Sequence, residues 1–241
     1  MKVFLDIETT GTSDPTTIRE IEQGISPPGN ISKAETIATW ERDKRPLALA
    51  EAVRKTALDA ATGSVISIAW AAGDADPICL VRDPTEPTDK PLLEDWLNHF
   101  HRQLQAASIT SSTDTGREVF TPEPFFIAHN AQFDLGFLYR RLIVDHIVPP
   151  FRFPGPASWR YGRDYGCTMV EWSGFREFIS LDKLCKALGI PSPKAAGMDG
   201  GNVGDIWRAG DLAAVRKYNM ADVEAVRAIW ARMDGADGRA A

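Results

Sequence analysis

The sequence predicts an α/β fold in which helices cover a mixed β-sheet. Short runs of β-forming residues alternate with amphipathic helical stretches, and the first run ends in carboxylates, as a buried strand does where it reaches the edge of a sheet. With 241 residues, of which 44% are hydrophobic and 25% charged, the chain is long enough to bury one sizeable core. We therefore expect a single domain over residues 1–234 and a short disordered tail over residues 235–241.

Four segments have the composition and spacing of β-strands. Residues 3–7 form a short apolar run, residues 64–72 are nearly continuous in β-forming residues, and a third run covers residues 78–81. The turn residues between the second and third runs predict that these two form an antiparallel hairpin next to the first strand. A fourth strand is expected within residues 124–130.

Helices and loops are expected between and after these strands. Amphipathic spacing predicts four helices, at residues 91–106, 133–144, 181–188 and 211–233. The stretch at residues 107–123 is rich in Ser and Thr and predicts a polar loop. Residues 151–176, rich in Pro, Gly and aromatic residues, predict an irregular segment.

Residues 12–63 predict a helical insertion between the first and second strands. A possible capping box at residues 32–35 precedes one helical stretch, and a second helix is expected over residues 47–61. Lysine and arginine residues of the insertion could face a substrate. Trp40 could stack on a nucleic-acid base, although a lone aromatic residue in an amphipathic helix is more often part of a core.

Cysteine usage and hydropathy argue against several classes of protein. The three cysteines are far apart and none forms a CxxC pair, which argues against a zinc site or a disulfide framework and favours a reducing compartment. No apolar run approaches the roughly 20 residues of a membrane span, and the first residues lack the pattern of a secretion signal. We expect a soluble cytoplasmic protein without membrane association.

The formal net charge of −6 is unevenly distributed along the chain. Residues 140–194 contain nine basic and five acidic residues, a balance of +4, so that the remainder carries −10. A locally basic flank on an acidic body suits an enzyme that holds a short stretch of nucleic acid and then releases it. The same charges are equally compatible with a solvated loop that carries scattered arginines.

Two acidic residues end the first predicted strand. Asp6 and Glu8 are two residues apart, so both side chains should project to the same face of the sheet. Two carboxylates so close repel each other, and burial would raise their pKa values unless a cation neutralised them. They therefore indicate a metal site. In the alternative interpretation, one of them caps the following turn while the other is solvated.

Further acidic residues follow the fourth strand and lie in the last helix. Asn130 is a plausible helix N-cap, which places Asp134 in or near the first turn, where the helix dipole favours an anion. Tyr218 and Asp222 are four residues apart on a helical stretch, so the phenol and the carboxylate should share one face. A tyrosine at that spacing is more often a core residue with its hydroxyl at the surface.

Three short motifs carry these residues in a specific order. FLDIETTG contains Asp6 and Glu8, HNAQFD contains Asp134, and YNMAD contains Tyr218 and Asp222. In this order they resemble the motifs of the DEDD exonucleases of the DnaQ-like group, and the spacing in YNMAD resembles the tyrosine subgroup. The stretch LDKLCKALGIPSPKAAGMDGGNVGDIW is similar to predicted exonucleases related to the proofreading domain of family B DNA polymerases. The resemblance extends over almost the whole chain.

The resemblance implies a ribonuclease H-like fold with a central mixed five-stranded sheet flanked by helices. It also implies that two divalent ions, Mg²⁺ or Mn²⁺, are coordinated by four acids, Asp6, Glu8, Asp134 and Asp222. The ions would clamp the attacking and leaving oxygens of an in-line displacement at phosphorus, while Tyr218 orients the attacking water. Four neighbouring residues are candidates for contacting the terminal nucleotide: Thr9, Thr10, Asn130 and Phe133.

The implied function is a metal-dependent 3′–5′ exonuclease acting on nucleic-acid 3′ ends, with single-stranded DNA favoured over RNA, and releasing nucleoside 5′-monophosphates. A replication or repair partner could deliver the substrate. An exoribonuclease of the same fold and a catalytically silent nucleic-acid-binding module are alternatives, although the presence of all four acids speaks against the second. A phosphatase of the haloacid dehalogenase type is disfavoured, because those enzymes have an aspartate where this chain has Glu8.

Overall fold

The computed structural model describes residues 1–113, 116–153, 155–196, 198 and 200–236. The chain divides into two compact units, one formed by Met1–Glu8 with Val65–Ala241 and the other by Thr9–Ser64. Most of the tail expected to be disordered, residues 237–241, lies outside the described residues. Its first two residues, 235 and 236, are the last two of the C-terminal helix.

The described residues contain seven β-strands. They are β1 (Lys2–Thr10), β2 (Ser64–Ala72), β3 (Ile78–Val81), β4 (Ile109–Thr113), β5 (Gly116–Phe120), β6 (Phe125–Ala128) and β7 (Tyr165–Cys167). Five of them form one sheet in the order β3-β2-β1-β6-β7, and β4 pairs with β5 in a separate hairpin. The large sheet is mixed, because β1–β6 and β6–β7 are parallel pairs whereas β2–β3 is antiparallel. The prediction of a mixed sheet is confirmed.

Most strand positions agree with the sequence prediction, but β4, β5 and β7 do not. The loop predicted at residues 107–123 contains the β4–β5 hairpin, in which Ile109 pairs with Phe120. The loop prediction was wrong. Ser and Thr are common in turns, but the β-branched residues of this segment also suit a two-stranded ladder. β7 lies in the segment predicted to be irregular. It has only three residues and depends on pairing with β6, which no local pattern reveals.

Nine α-helices accompany the strands in the described part of the chain. They are α1 (Pro15–Gly24), α2 (Ala34–Asp43), α3 (Arg45–Lys55), α4 (Lys90–Ala106), α5 (Ala131–Val144), α6 (Thr168–Ser173), α7 (Leu181–Leu188), α8 (Val203–Arg208) and α9 (Leu212–Ala236). The four helices predicted outside the insertion correspond to α4, α5, α7 and α9, with ends close to those expected. Among the described helices, none has both the length and the apolar character that crossing a bilayer requires.

Helices pack on both faces of the large sheet, as the alternation of side chains along a strand allows. On one face, Val226 and Trp230 of α9 share a core cluster with Ile127 of β6. On the other face, the ring of Phe100 in α4 lies 5.5 Å from that of Phe126. Because Phe126 and Ile127 are neighbours in β6, this one strand fixes the positions of both helices.

The unit Thr9–Ser64 contains α1, α2, α3 and a 3₁₀ turn over Thr56–Leu58. The capping box predicted at residues 32–35 is wrong, because the N-cap residue of α2 is Lys33 and makes no side-chain cap hydrogen bond. The helix predicted over residues 47–61 begins earlier, as α3, and ends in the 3₁₀ turn.

The sequence prediction did not include α1, although its start carries two usual helix signals. The carboxylate of Asp14 accepts a hydrogen bond from the amide of Thr17, and Pro15 occupies the first helical position. Within the helix only Ile18 and Ile21 are apolar at helical spacing, and α1 has no buried residue, so the segment lacks the strong amphipathic pattern of the predicted helices.

A buried ion pair joins the start of α4 to α5. Asp89 is fully buried, and its carboxylate accepts hydrogen bonds from the amide of Val65 at 2.8 Å and from two nitrogens of Arg141 at 2.7 and 3.0 Å. Arg141 also contacts Asp145 at 3.2 Å. A single carboxylate therefore connects α4 with β2, which neighbours β1 in the sheet, and with α5, which carries Asp134.

We predict that Asp89→Ala lowers the free energy of unfolding by roughly 3–5 kcal/mol, because the Arg141 guanidinium would remain buried without its main partner. Urea denaturation monitored by circular dichroism measures this loss. Glu94→Ala is the matched control, since it removes an exposed partner of Lys90 at 3.5 Å and should cost at most about 1 kcal/mol. Equal midpoints for the two variants would contradict the structural role of Asp89.

Candidate metal centre

Three carboxylates from opposite ends of the chain meet beside β1. Asp6 is the middle residue of β1 and Glu8 lies two residues further along, a spacing that places both side chains on one face. Asp222 of α9 joins them, so that ligand oxygens of the three residues all lie within 4.8 Å of one another. Glu8 and Asp222 are buried, with 8% and 5% of their surface exposed. Neither is a solvated surface charge.

Asp134 lies next to this triplet but is not part of it. It occupies the first turn of α5, directly after β6, which pairs in parallel with β1. Its side chain is buried, and its charge contributes to raising the pKa of Asp6. Asp134 is therefore within electrostatic range of Asp6, on the side of the site formed by β6.

Burial raises the pKa values of three of the acidic groups, and repulsion adds to this effect at Asp6 and Asp134. Burial, followed by the charges of Asp222, Asp134 and Glu8, raises the pKa of Asp6 well above its usual range. Burial raises the pKa of Asp134 to about 7, although hydrogen bonding to the backbone at Ile7 acts against it. Burial also raises the pKa of Asp222 to about 7. The cluster therefore favours either protons or a cation.

Helix α9 carries both Tyr218 and Asp222 to the site. The two residues are one turn apart, and a hydrogen bond from the Tyr218 hydroxyl to Asp222 lowers the pKa of that carboxyl group, in opposition to burial. Asn219, next to Tyr218, is fully buried and donates a hydrogen bond from Nδ2 to the Ser67 hydroxyl at 2.8 Å. This contact with β2 fixes the rotation of α9 about its axis.

Lys194 is a candidate functional residue that the sequence prediction missed. It follows α7 and is exposed, and its positive charge lowers the pKa of Asp222, which places it near the carboxylates. The sequence feature that could have identified Lys194 is its position in the stretch that resembles the exonuclease family. A lone lysine beside two prolines gives no indication of its own that it approaches a residue in another helix.

Two of the proposed nucleotide-contacting residues lie at the start of α5. Asn130 occupies the N-cap position, where its carbonyl oxygen accepts hydrogen bonds from the amides of Phe133 and Asp134 at 2.8 and 3.1 Å. Its side chain makes no cap hydrogen bond, so the expected capping role falls to the backbone. Phe133 is half-buried, with its ring 5.5 Å from that of Phe137. Both residues are thus close in sequence and in space to Asp134.

The other two candidates, Thr9 and Thr10, belong to the second unit. The Thr9 hydroxyl donates a hydrogen bond to the carbonyl oxygen of Ala57 at 2.8 Å, and Thr10 is buried. Within its own unit, Thr9 therefore has a structural use, connecting the end of β1 to the turn after α3.

The donor set of the cluster fits a hard divalent cation. Asp6, Glu8 and Asp222 offer only carboxylate oxygens, the ligands that Mg²⁺ and Mn²⁺ prefer, without a thiolate or imidazole that would favour zinc. A cation would also offset the burial and the neighbouring negative charges that raise the pKa of Asp6. The group could therefore hold a divalent metal ion.

The fold and the site identify an α/β protein. Its mixed sheet carries an all-carboxylate candidate metal site beside the parallel strands. Residues 160–240 match the model of a family described as predicted 3′–5′ exonucleases related to the exonuclease domain of PolB. A search of curated proteins found no match. The matched residues include Tyr218 and Asp222, whereas Asp6, Glu8 and Asp134 lie outside them.

We predict that Asp222→Asn raises the melting temperature of the metal-free protein at pH 8 by clearly more than at pH 5. A carboxyl group whose pKa is higher in the folded state stabilises the fold below its unfolded value, and this contribution is lost as pH rises from about 4 to about 7. The neutral amide avoids that loss. Differential scanning fluorimetry in EDTA at both pH values measures the effect.

Glu224→Gln is the control, because Glu224 lies on the same helix, outside the cluster, and pairs with Arg227. Its melting temperature should differ from that of the wild type by a similar small amount at both pH values. A lower melting temperature for Asp222→Asn at pH 8 would show that the cluster is not under electrostatic strain.

Proposed function

We propose that this protein is a metal-dependent 3′–5′ exonuclease with a ribonuclease H-like fold that acts on single-stranded DNA. The observation that carries the proposal is the convergence of Asp6, Glu8 and Asp222 within 4.8 Å, in a chain whose C-terminal third matches an exonuclease family. Its partners would be nucleic-acid 3′ ends, and its products nucleoside 5′-monophosphates.

In this proposal, four buried or half-buried acids would hold two divalent ions, Mg²⁺ or Mn²⁺: Asp6, Glu8, Asp134 and Asp222. When bound, the ions supply positive charge to the attacking and leaving oxygens of the phosphodiester. The protein contributes the rigidity of the ligands. Asp6 and Glu8 are fixed by β1, Asp134 by the first turn of α5, and Asp222 by a helix that hydrogen bonds to β2 through Asn219.

Tyr218 would orient the attacking water. Its hydroxyl is directed toward the site, since it hydrogen bonds to Asp222. The same hydroxyl can hold a water molecule beside that carboxylate, in line with the phosphorus–oxygen bond to be broken.

Lys194 places a positive charge near Asp222 and would bind a non-bridging phosphate oxygen, which draws the substrate toward an otherwise negative cluster.

We predict that Asp6→Asn and Asp222→Asn each lower the rate of hydrolysis on the order of 100-fold or more, since each removes a charged metal ligand. The assay follows shortening of a 5′-labelled single-stranded DNA oligonucleotide in Mg²⁺, beside a matched RNA and a blocked 3′ end. Glu224→Gln, outside the cluster on α9, should retain wild-type activity. Persistent activity in both aspartate variants would exclude the proposed site.

We predict that Tyr218→Phe lowers kcat by roughly 100-fold while the Mg²⁺ concentration at half-maximal activity stays unchanged, because the hydroxyl orients water and does not bind the metal. Titrating Mg²⁺ at saturating oligonucleotide separates the two effects. The ring itself packs in a core cluster with Ile66 and Trp207, so phenylalanine preserves the packing. An equal loss in kcat and in Mg²⁺ affinity would instead identify Tyr218 as part of the metal site.

A further inference from the structure

The segment of residues 168–179, which we call the aromatic loop, exposes three large apolar side chains. Trp172, Phe175 and Phe178 have 49%, 68% and 75% of their surface exposed. The segment begins with α6 and turns at Gly174, whose positive φ of 76° suits glycine. Exposed aromatic residues so close together indicate a binding surface, because a soluble protein otherwise buries them.

Both ends of the aromatic loop are hydrogen bonded to one buried residue, His129. Its Nδ1 lies 2.8 Å from the Thr168 hydroxyl, and its Nε2 lies 2.8 Å from the carbonyl oxygen of Ile179. A carbonyl oxygen can only accept, so Nε2 donates the hydrogen bond to Ile179. In a neutral imidazole Nδ1 is then unprotonated and accepts a hydrogen bond from the Thr168 hydroxyl. The amide of Met169 donates to the backbone oxygen of His129 at 3.1 Å. The ends of the loop are therefore fixed.

The aromatic loop lies at the edge of the sheet that carries the metal centre. β1, β6 and β7 are consecutive parallel strands, so the residues that follow them emerge at the same edge. Asp6 lies two residues beyond Phe4, the last β1 residue paired with β6, whereas Asp134 follows β6 and the aromatic loop follows β7. Two strand spacings separate β7 from β1, roughly 10 Å. The far end of the loop, Ile179, packs in a cluster with Ala225 of α9.

The side chain of Phe175 is supported by other rings although it is exposed. Its ring lies 5.4 Å from that of Tyr161 in an edge-to-face arrangement, and Tyr161 contacts Tyr165 of β7 in the same way at 5.7 Å. Such contacts restrict the orientation of the ring. Phe175 thus presents a flat apolar surface in a defined position.

Cationic side chains accompany these rings. Within the described residues, Arg176, Lys183 and Lys194 form no ion pair, whereas Lys186 binds Asp182 at 2.8 Å. All three are exposed. Arg176 lies in the aromatic loop itself, Lys183 in the helix that follows it, and Lys194 beside Asp222. The aromatic loop also contains Glu171 and Glu177, but the three unpaired cations offer contacts to the phosphates of a nucleic-acid strand.

We propose that the aromatic loop is the platform on which the bases upstream of the 3′ end stack, with Arg176 and Lys183 contacting the phosphates between them. This inference rests on the proposed function and adds to it the surface that binds the strand upstream of the cleaved nucleotide. Stacking on an aromatic ring tolerates every base but requires that the base be unpaired. The platform therefore selects single strands several nucleotides long, without a sequence preference.

The test compares a long substrate with a small one. Phe175→Ala/Phe178→Ala should weaken binding of a fluorescent 12-nucleotide single strand on the order of 10-fold per ring removed, measured by anisotropy in the Asp222→Asn background. Hydrolysis of the p-nitrophenyl ester of thymidine 5′-monophosphate, which cannot reach the platform, should be unchanged in the wild-type background. Val148→Ala, at an apolar residue 88% exposed outside the loop, is the control and should alter neither.

Substitutions of one ring distinguish stacking from attachment of a protein. Phe178→Trp should retain the affinity for the oligonucleotide, whereas Phe178→Leu, which keeps an apolar surface, should lose about as much as Phe178→Ala. Affinity unchanged within 2-fold in the double variant, or retained by leucine, would overturn the platform and favour a protein-binding patch. Loss of ester hydrolysis in the double variant would also count against it. Failure of the wild type to cleave any substrate would overturn the exonuclease proposal alone, because the binding measurement does not need catalysis.

Discussion

Repulsion between carboxylates is the constraint on which the rest of this structure depends. Asp6, Glu8 and Asp222 lie within 4.8 Å of one another, and burial raises the pKa of Asp222 to about 7. Such a cluster separates unless rigid elements hold it. Here β1 supplies two of the acids, and α9 supplies the third while packing against the sheet through Val226 and Trp230. The core thus maintains a local electrostatic cost that a cation would remove.

The local patterns of the sequence predicted the elements that carry the site. The spacing of two between Asp6 and Glu8 and the spacing of four between Tyr218 and Asp222 each follow from the periodicity of one strand or one helix. What the patterns missed depends on contacts between distant segments. β7 exists because β6 lies beside it, and Lys194 matters because α9 lies near it. No window of neighbouring residues contains that information.

The family match and the geometry support the proposal from different parts of the chain. The match covers residues 160–240 and so includes the helix with Tyr218 and Asp222, together with the aromatic loop. The strand with Asp6 and Glu8 and the helix start with Asp134 lie outside it. The structure adds a spatial relation, since ligand oxygens of Asp6 and Glu8 lie within 4.8 Å of one of Asp222 in the matched region.

The dual use of α9 limits how its sequence can change. One side of the helix carries Tyr218 and Asp222, while other sides bury Val226 and Ile229 in separate clusters. Inserting or deleting one residue between Asp222 and these positions would rotate one set against the other by about 100°. Length variation in this region must therefore accumulate in the turn around Gly210, before the helix, whose positive φ of 86° marks a break in helical geometry. Within α9, the number of residues between Asp222 and the buried positions is therefore constrained.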